Sequence, residues 1–208
     1  MLCGKYIDYS NKYFICKKCF VKYINQKTLN ERHTYGIGNI DSVFYAVKYT
    51  GRPRHALHKF KFYGKSFYGD TFARILYEAC KDKPFLKDID IVTCVPSGKK
   101  RLKRRGYNPA DIIASGFSAY AKMNYISDLL LKVKETPPMN KLTKANRFKY
   151  IKNAFKYNDS HILFDAHVLL IDDVYTTGAT TGECARMLKK KGVEKVTVLT
   201  LFSNDYGI

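Results

Sequence analysis

The stretch Val168-Leu-Leu-Ile-Asp172-Asp173-Val-Tyr-Thr176-Thr177-Gly178-Ala179-Thr180 decides the fold. With His167 in front of it, the apolar run reads as a strand buried on both faces, the pattern of a parallel sheet rather than of an edge hairpin. That strand delivers two adjacent carboxylates to the carboxyl edge of the sheet. A Thr/Gly turn then leads straight into a helix. Backbone N–H groups at the helix start, the threonine hydroxyls and the positive end of the helix dipole together form a cradle for an anion. Gly-x-x-x-x-Gly-Lys-Ser/Thr and Gly-x-Gly-x-x-Gly are both absent, so the cradle is neither a P-loop nor a dinucleotide fingerprint.

Working outward, Thr181 to Lys191 reads as a helix stopped by Gly192, and Lys195 to Phe202 as the last strand. Upstream, Ile89 to Val95 is a short apolar strand closed by Pro96. Ala110 to Met123 is helical, Ser127 to Val133 reads as the next strand, and Pro137-Pro138 with a lysine-rich stretch forms a long connection. This alternation predicts an α/β fold with a mostly parallel central sheet flanked by helices and a ligand at the carboxyl ends of the strands. Before it, Ser66 to Cys80 places Phe67, Phe72, Ile75, Leu76 and Ala79 on one helical face. Residues 36–62 read as two β-like runs, Ser42 to Tyr49 being the first, around a Thr50-Gly51-Arg52-Pro53 turn. The expected organisation is a small Cys-rich module over 1–33, a middle strand-helix segment over 34–88 that packs on the core, and the α/β domain over 89–208.

The chain has 208 residues, 46% of them hydrophobic, which is enough to bury a sizeable core and excludes wholesale disorder. No apolar run approaches a membrane span, and the N-terminus lacks a basic region followed by an apolar one. A cytoplasmic protein with no membrane insertion is therefore expected. A net charge of +19 points to a polyanionic partner, although a lysine-rich composition also arises in an AT-rich genome without selection for binding. The local clusters are more specific. Six of the eight residues from Gly98 to Arg105 are Lys or Arg, directly after a strand end, which suits a pyrophosphate or a nucleic-acid backbone. Lys59-Phe60-Lys61-Phe62-Tyr63 and Phe148-Lys149-Tyr150 interleave charge with rings, as single-stranded DNA binding by backbone contact and base stacking requires; packed core aromatics are the competing explanation. Lys59, Lys61, Lys103, Arg104 and Arg105 are the candidate nucleic-acid contacts.

Of the six cysteines, Cys16-x-x-Cys19 forms a knuckle with Cys3 thirteen residues before it. Cys3, Cys16 and Cys19 are candidate ligands of a structural zinc ion, which takes four ligands; the fourth position is open to a group such as His33. Cys80, Cys94 and Cys184 fall in strand or helix patterns as small core residues, and His55 and His58 read as surface residues. No Ser/His/Asp or Cys/His arrangement recommends nucleophilic catalysis.

The Val168–Thr180 stretch resembles the phosphoribosyl pyrophosphate (PRPP) motif of type I phosphoribosyltransferases. That resemblance implies that Asp172 and Asp173 bind the ribose hydroxyls and that Thr176, Thr177, Gly178, Ala179 and Thr180 hold the 5′-phosphate. Val95-Pro96 followed by Arg101-x-x-x-Arg105-Gly106-Tyr107-Asn108, and then Leu142, Arg147 and Ala154-Phe155, are similar to the ComF family of competence-associated proteins. The pattern departs from that family at Pro109, Met139 and Tyr150, where Gln, Gln and Asn are usual; the phosphate cradle is untouched. ComF resemblance implies a type I phosphoribosyltransferase fold behind an N-terminal zinc-binding module. It also implies a Mg²⁺-PRPP ligand whose pyrophosphate lies near Ser97, Gly98, Lys99, Lys100 and Arg147. The implied role is in natural transformation, handling incoming single-stranded DNA with a helicase or recombination partner. The alternative is a working Mg²⁺-PRPP-dependent phosphoribosyltransferase of unknown acceptor, and a third reading is a scaffold for protein contacts.

Overall fold

The computed structural model describes residues 15–25, 29–32, 39–137 and 142–204. Cys3, His33 and Met139 lie outside the described residues. In chain order the elements are α1 (Lys17–Phe20), a π-helical turn (Val21–Asn25), β1 (Asn30–Arg32), β2 (Ser42–Lys48), α2 (Gly51–Phe62), α3 (Tyr68–Cys80), a 3₁₀ turn (Pro84–Asp88), β3 (Ile91–Cys94), α4 (Lys99–Arg105), α5 (Pro109–Ala121), β4 (Tyr125–Ile126), β5 (Leu130–Lys132), α6 (Lys144–Ile151), β6 (Phe155–Tyr157), β7 (His167–Tyr175), α7 (Ala179–Lys189) and β8 (Lys195–Ser203). Six strands form the central sheet in the order β1-β2-β8-β7-β3-β4; β1 is antiparallel to β2 and every other pair is parallel. The mostly parallel sheet expected from the alternation is present.

The two central strands explain the layering. Successive side chains on a strand point to opposite faces, so Leu169, Ile171, Leu199 and Leu201 pack with α2, α3 and α5, while Val168, Leu170, Val196 and Val198 pack with α7 and a small ribbon. Val168 through Ile171 are fully buried, as a strand covered on both faces demands. On the first face α3 and α5 approach closely at Gly116, where a Cβ would stand 2.7 Å from that of Ala73. Among the described residues no helix is long and apolar enough to cross a membrane.

Two elements differ from the sequence reading. Residues 51–62 form α2 instead of a second β-like run. The alternation of Lys59-Phe60-Lys61-Phe62 imitates a strand, but Pro53, Ala56, Leu57 and Phe60 are buried together at helical spacing, and tertiary packing follows that stripe. The strand expected over Ser127 to Val133 leaves the central sheet, because Tyr125 and Ile126 already occupy its edge beside β3. β5 pairs antiparallel with β6 instead, with Leu130 opposite Tyr157 on the buried side. At the far edge of the sheet, β1 pairs with β2 and β2 with β8. Arg32 reinforces that edge, its guanidinium donating to the Ser203 hydroxyl at 2.7 Å and to the Asn204 carbonyl at 2.7 Å.

Candidate functional site

The anion cradle forms where β7 turns into α7. Gly178 takes a left-handed φ of +73°, which a glycine adopts without steric cost, and caps α7. Its carbonyl accepts from the Gly182 N–H at 2.7 Å and from the Thr181 hydroxyl at 3.2 Å. The Ala179 N–H leans to the Thr177 hydroxyl at 3.5 Å. A cavity of about 30 Å³, room for roughly one water, opens between Asp172, Thr176, Gly178, Ala179 and Thr180. The positive end of the α7 dipole therefore faces a polar recess walled by the residues expected to hold a phosphate.

Of the acidic pair, Asp172 lines this recess and Asp173 follows it on β7. The Asp173 N–H donates to Asp172 Oδ1 at 2.8 Å, which fixes the first carboxylate. Burial pushes the Asp172 carboxyl up to about 7, with the charge of Asp173 adding to the effect and the ammonium groups of Lys61 and Lys132 opposing it. Asp172 is half-buried, its open side facing the recess. Asp173 is held by Lys61, whose Nζ lies 2.8 Å from Oδ1 and 2.7 Å from Oδ2. Lys61 reaches it because Phe60 anchors the end of α2, fully buried with its ring 5.3 Å from that of Phe72. The Tyr107 hydroxyl donates to the Phe60 carbonyl and ties the same turn to the loop after α4. Arg105 lies over the Phe62 ring at 5.2 Å; burial lowers its pKa, and the charge of Asp173 works against that.

Opposite the cradle, β3 runs through Val95 and Pro96 into Ser97 and Gly98, and the basic run after them folds as α4. Asn108 ties this loop down: its Nδ2 donates to the Val95 carbonyl at 2.9 Å, and its Oδ1 accepts from the Ser97 hydroxyl at 2.9 Å. Arg105-Gly106-Tyr107-Asn108 thus acquires a physical reading. Gly106 ends α4 at φ +82°, Tyr107 fixes α2, and Asn108 fixes the loop at the end of β3. A carboxylate of the chain already sits on this loop: Glu135 Oε1 accepts from the Lys100 N–H at 2.9 Å, and a Cβ on Gly98 would lie 2.8 Å from Oε2.

Lys132, which the sequence reading did not single out, lies behind this loop. Its Nζ donates to the Thr136 hydroxyl at 3.0 Å and stands 5.3 Å from the centre of the Phe155 ring. Burial lowers its pKa to about 8, with Arg101 pushing the same way and Asp172 among the charges that oppose it. A lone lysine inside Leu129-Leu130-Leu131-Lys132-Val133 was the only signal for it. Arg147 lies on α6, where its Nε donates to the Leu142 carbonyl at 3.1 Å.

The nucleic-acid candidates divide. Lys61 is engaged with Asp173 and Lys59 is half-buried, whereas Lys103 and Arg104 are exposed on α4. Beside them Phe62 and Tyr63 are 53% and 65% exposed, and the His58 ring lies 4.9 Å and 5.6 Å from theirs. Phe60 is core, as packed aromatics would be, whereas Phe62 and Tyr63 stand exposed. Phe148 and Tyr150 are also exposed, on α6. His55 and His58 lie on the surface, and Cys80, Cys94 and Cys184 are buried. Cys16 precedes α1 and Cys19 lies within it. Among the described residues no group of three or more His, Cys, Asp or Glu gathers as a metal site, and Cys3 is outside them.

A parallel sheet whose central strand ends in an acidic pair, followed by a glycine-capped helix start, defines a domain of the type I phosphoribosyltransferase class. A model of the phosphoribosyl transferase domain family matches residues 101–207. The chain is similar to Competence protein F of Haemophilus influenzae, with 34% identity over 146 residues, which is 68% of this chain and 64% of that protein. It is 27% identical over 148 residues to the DNA utilization protein YhgH of Escherichia coli, 70% of this chain and 64% of that protein. It is 29% identical over 144 residues to Competence protein ComFC of Streptococcus pneumoniae, 69% of this chain and 60% of that protein. The chain belongs to the ComF family of phosphoribosyltransferase-domain proteins. The matches span less than two thirds of the length of these relatives.

Proposed function

We propose that this protein is a DNA-uptake accessory protein. Its phosphoribosyltransferase-type pocket takes PRPP, and its basic-aromatic face beside that pocket binds single-stranded DNA. The observation that carries the first part is the convergence of three groups at one sheet edge: the glycine-capped start of α7, the Asp172–Asp173 pair, and the loop after β3. In this reading the cradle from Thr176 to Thr180 takes the 5′-phosphate, the acidic pair accepts from the ribose hydroxyls, and Ser97 to Lys100 with Lys132 face the pyrophosphate. Mg²⁺ prefers oxygen ligands and retains waters. Both Asp173 oxygens already face the Lys61 ammonium, which disfavours a second cation there and fits an ion carried in on the pyrophosphate oxygens rather than one held in a protein cage. Cys16 and Cys19, three residues apart at the start of α1, supply two thiols suited to zinc; Cys3 would be a third.

The DNA reading is supported by the names of the relatives and by Phe62, Tyr63 and His58 standing exposed next to Arg105, Lys103 and Arg104. Rings supply sequence-tolerant stacking and the cations track phosphates. A helicase or recombination protein of the uptake machinery is the expected protein partner. Fluorescence anisotropy with a labelled oligonucleotide tests this reading. Affinity should fall steeply with salt and drop in a Lys103→Gln, Arg104→Gln variant, whereas a flat salt response would remove the DNA reading.

Catalysis of phosphoribosyl transfer is a second reading, favoured by displaced pKa values on two groups that feel each other's charge, Asp172 and Lys132. Pyrophosphate would leave the anomeric carbon as an acceptor bonds to it, with Lys99, Lys100 and Lys132 stabilising the departing charge.

A further inference from the structure

Lys61 lies outside the segment matched by the phosphoribosyl transferase model, on a helix that precedes the whole α/β alternation. We propose that Lys61 is a ligand-binding residue of the phosphoribosyl site: its ammonium neutralises Asp173 in the free protein and donates to a phosphate oxygen of the bound ligand. The inference rests on the PRPP reading above and adds a residue to it.

The geometry supports this in three ways. An ammonium carries three N–H donors, and the Asp173 carboxylate, with Oδ1 at 2.8 Å and Oδ2 at 2.7 Å, engages at most two of them, leaving at least one for a ligand. The contact is open to solvent, the Lys61 side chain being 22% exposed and that of Asp173 12%, and both charges act on Asp172, which lines the recess. The stem is also fixed. Pro53, Ala56, Leu57 and Phe60 bury the inner face of α2, and Tyr107 holds its last turn.

That anchoring also separates the proposal from a purely structural reading. α2 is docked by its apolar stripe, and a partly exposed ion pair contributes little to docking a helix already packed in this way. Electrostatics assigns the lysine a different task. PRPP is a polyanion, and two adjacent carboxylates in its pocket repel it. A fixed cation on Asp173 cancels the outer charge while the carboxylate remains able to accept from a hydroxyl. Arg105 is the second cation that faces Asp173, but its guanidinium lies on the Phe62 ring.

The test is calorimetric titration of Mg²⁺-PRPP into the full chain as wild type, Lys61→Gln, Lys61→Arg and, as a surface control, Lys87→Gln. Losing a charge-assisted hydrogen bond should weaken binding about ten-fold or more in Lys61→Gln. Lys61→Arg should recover most of that affinity, and Lys87→Gln should match the wild type. Wild-type binding with Lys61→Gln unchanged, or tighter, overturns the inference and leaves the PRPP reading standing. Absence of binding by the folded wild type overturns both. A measurement on the wild type alone guards against a variant that fails to fold. The side-chain ammonium resonance of Lys61 must move when Mg²⁺-PRPP is added, and a resonance that stays in place overturns the inference.

Discussion

Replacing Asp172 by Asn separates the working pocket from the stability of the fold. In the folded protein the Asp172 carboxyl rises from an ordinary 3.8 to about 7, first through burial and then through the charge of Asp173. A carboxyl raised in the folded state costs nothing below about pH 4, where it is protonated folded or unfolded. The cost grows as pH rises through the interval and is complete above about 7. At about 1.4 kcal/mol per tenfold the interval corresponds to roughly 4 kcal/mol, and the open side of Asp172, where water screens the charge, reduces this to about 2 kcal/mol. Asn is nearly isosteric and its Oδ1 still accepts the Asp173 N–H, so the loop keeps its geometry. Asp172→Asn should therefore be about 2 kcal/mol more stable than wild type at pH 8, about 4–8 °C in midpoint for a chain of this size, and nearly equal to it at pH 4. Groups remote from the pair titrate alike in both proteins and cancel in the difference; Lys132, which loses the opposing charge of Asp172, offsets a small part of the gain. Paired denaturation curves at the two pH values read it directly. An equal stability difference at both pH values, or a variant less stable than wild type at pH 8, would refute the reasoning.

Two further outcomes follow from the same pocket. Glu135 sits on the Lys100 N–H, so an incoming pyrophosphate must evict it; Glu135→Gln should bind pyrophosphate about five-fold more tightly by calorimetry, an exposed charged hydrogen bond being worth about 1 kcal/mol. Gly178 holds a φ of +73°, so Gly178→Ala should lower stability by about 1–2 kcal/mol in urea unfolding and weaken Mg²⁺-PRPP binding by distorting the cradle.

The central strand and its phosphate turn were legible because burial on both faces leaves an unbroken apolar run, and because the acids and the glycine sit next to it in the chain. α2 was misread for a local reason: Lys59 to Phe62 alternates like a strand, and only the sheet behind it shows that Leu57 and Phe60 form the buried face. β1 left no apolar trace, being three polar residues whose hold on the sheet includes Arg32 reaching Ser203. Lys61 was legible as a cation and not as a partner of Asp173, because the two stand 112 residues apart. Lys132 and Glu135 became visible as site residues only once the β5–β6 ribbon brought their connection against the loop at Gly98. Charge and ring content are local properties, whereas the pairing of a charge across a fold is not.

Calorimetric titration of Mg²⁺-PRPP into the wild type and into the Asp172→Asn, Asp173→Asn double variant tests the central claim most directly. The account predicts saturable binding by the wild type that the folded double variant loses. Binding of equal strength in both, or none by a folded wild type, would contradict it.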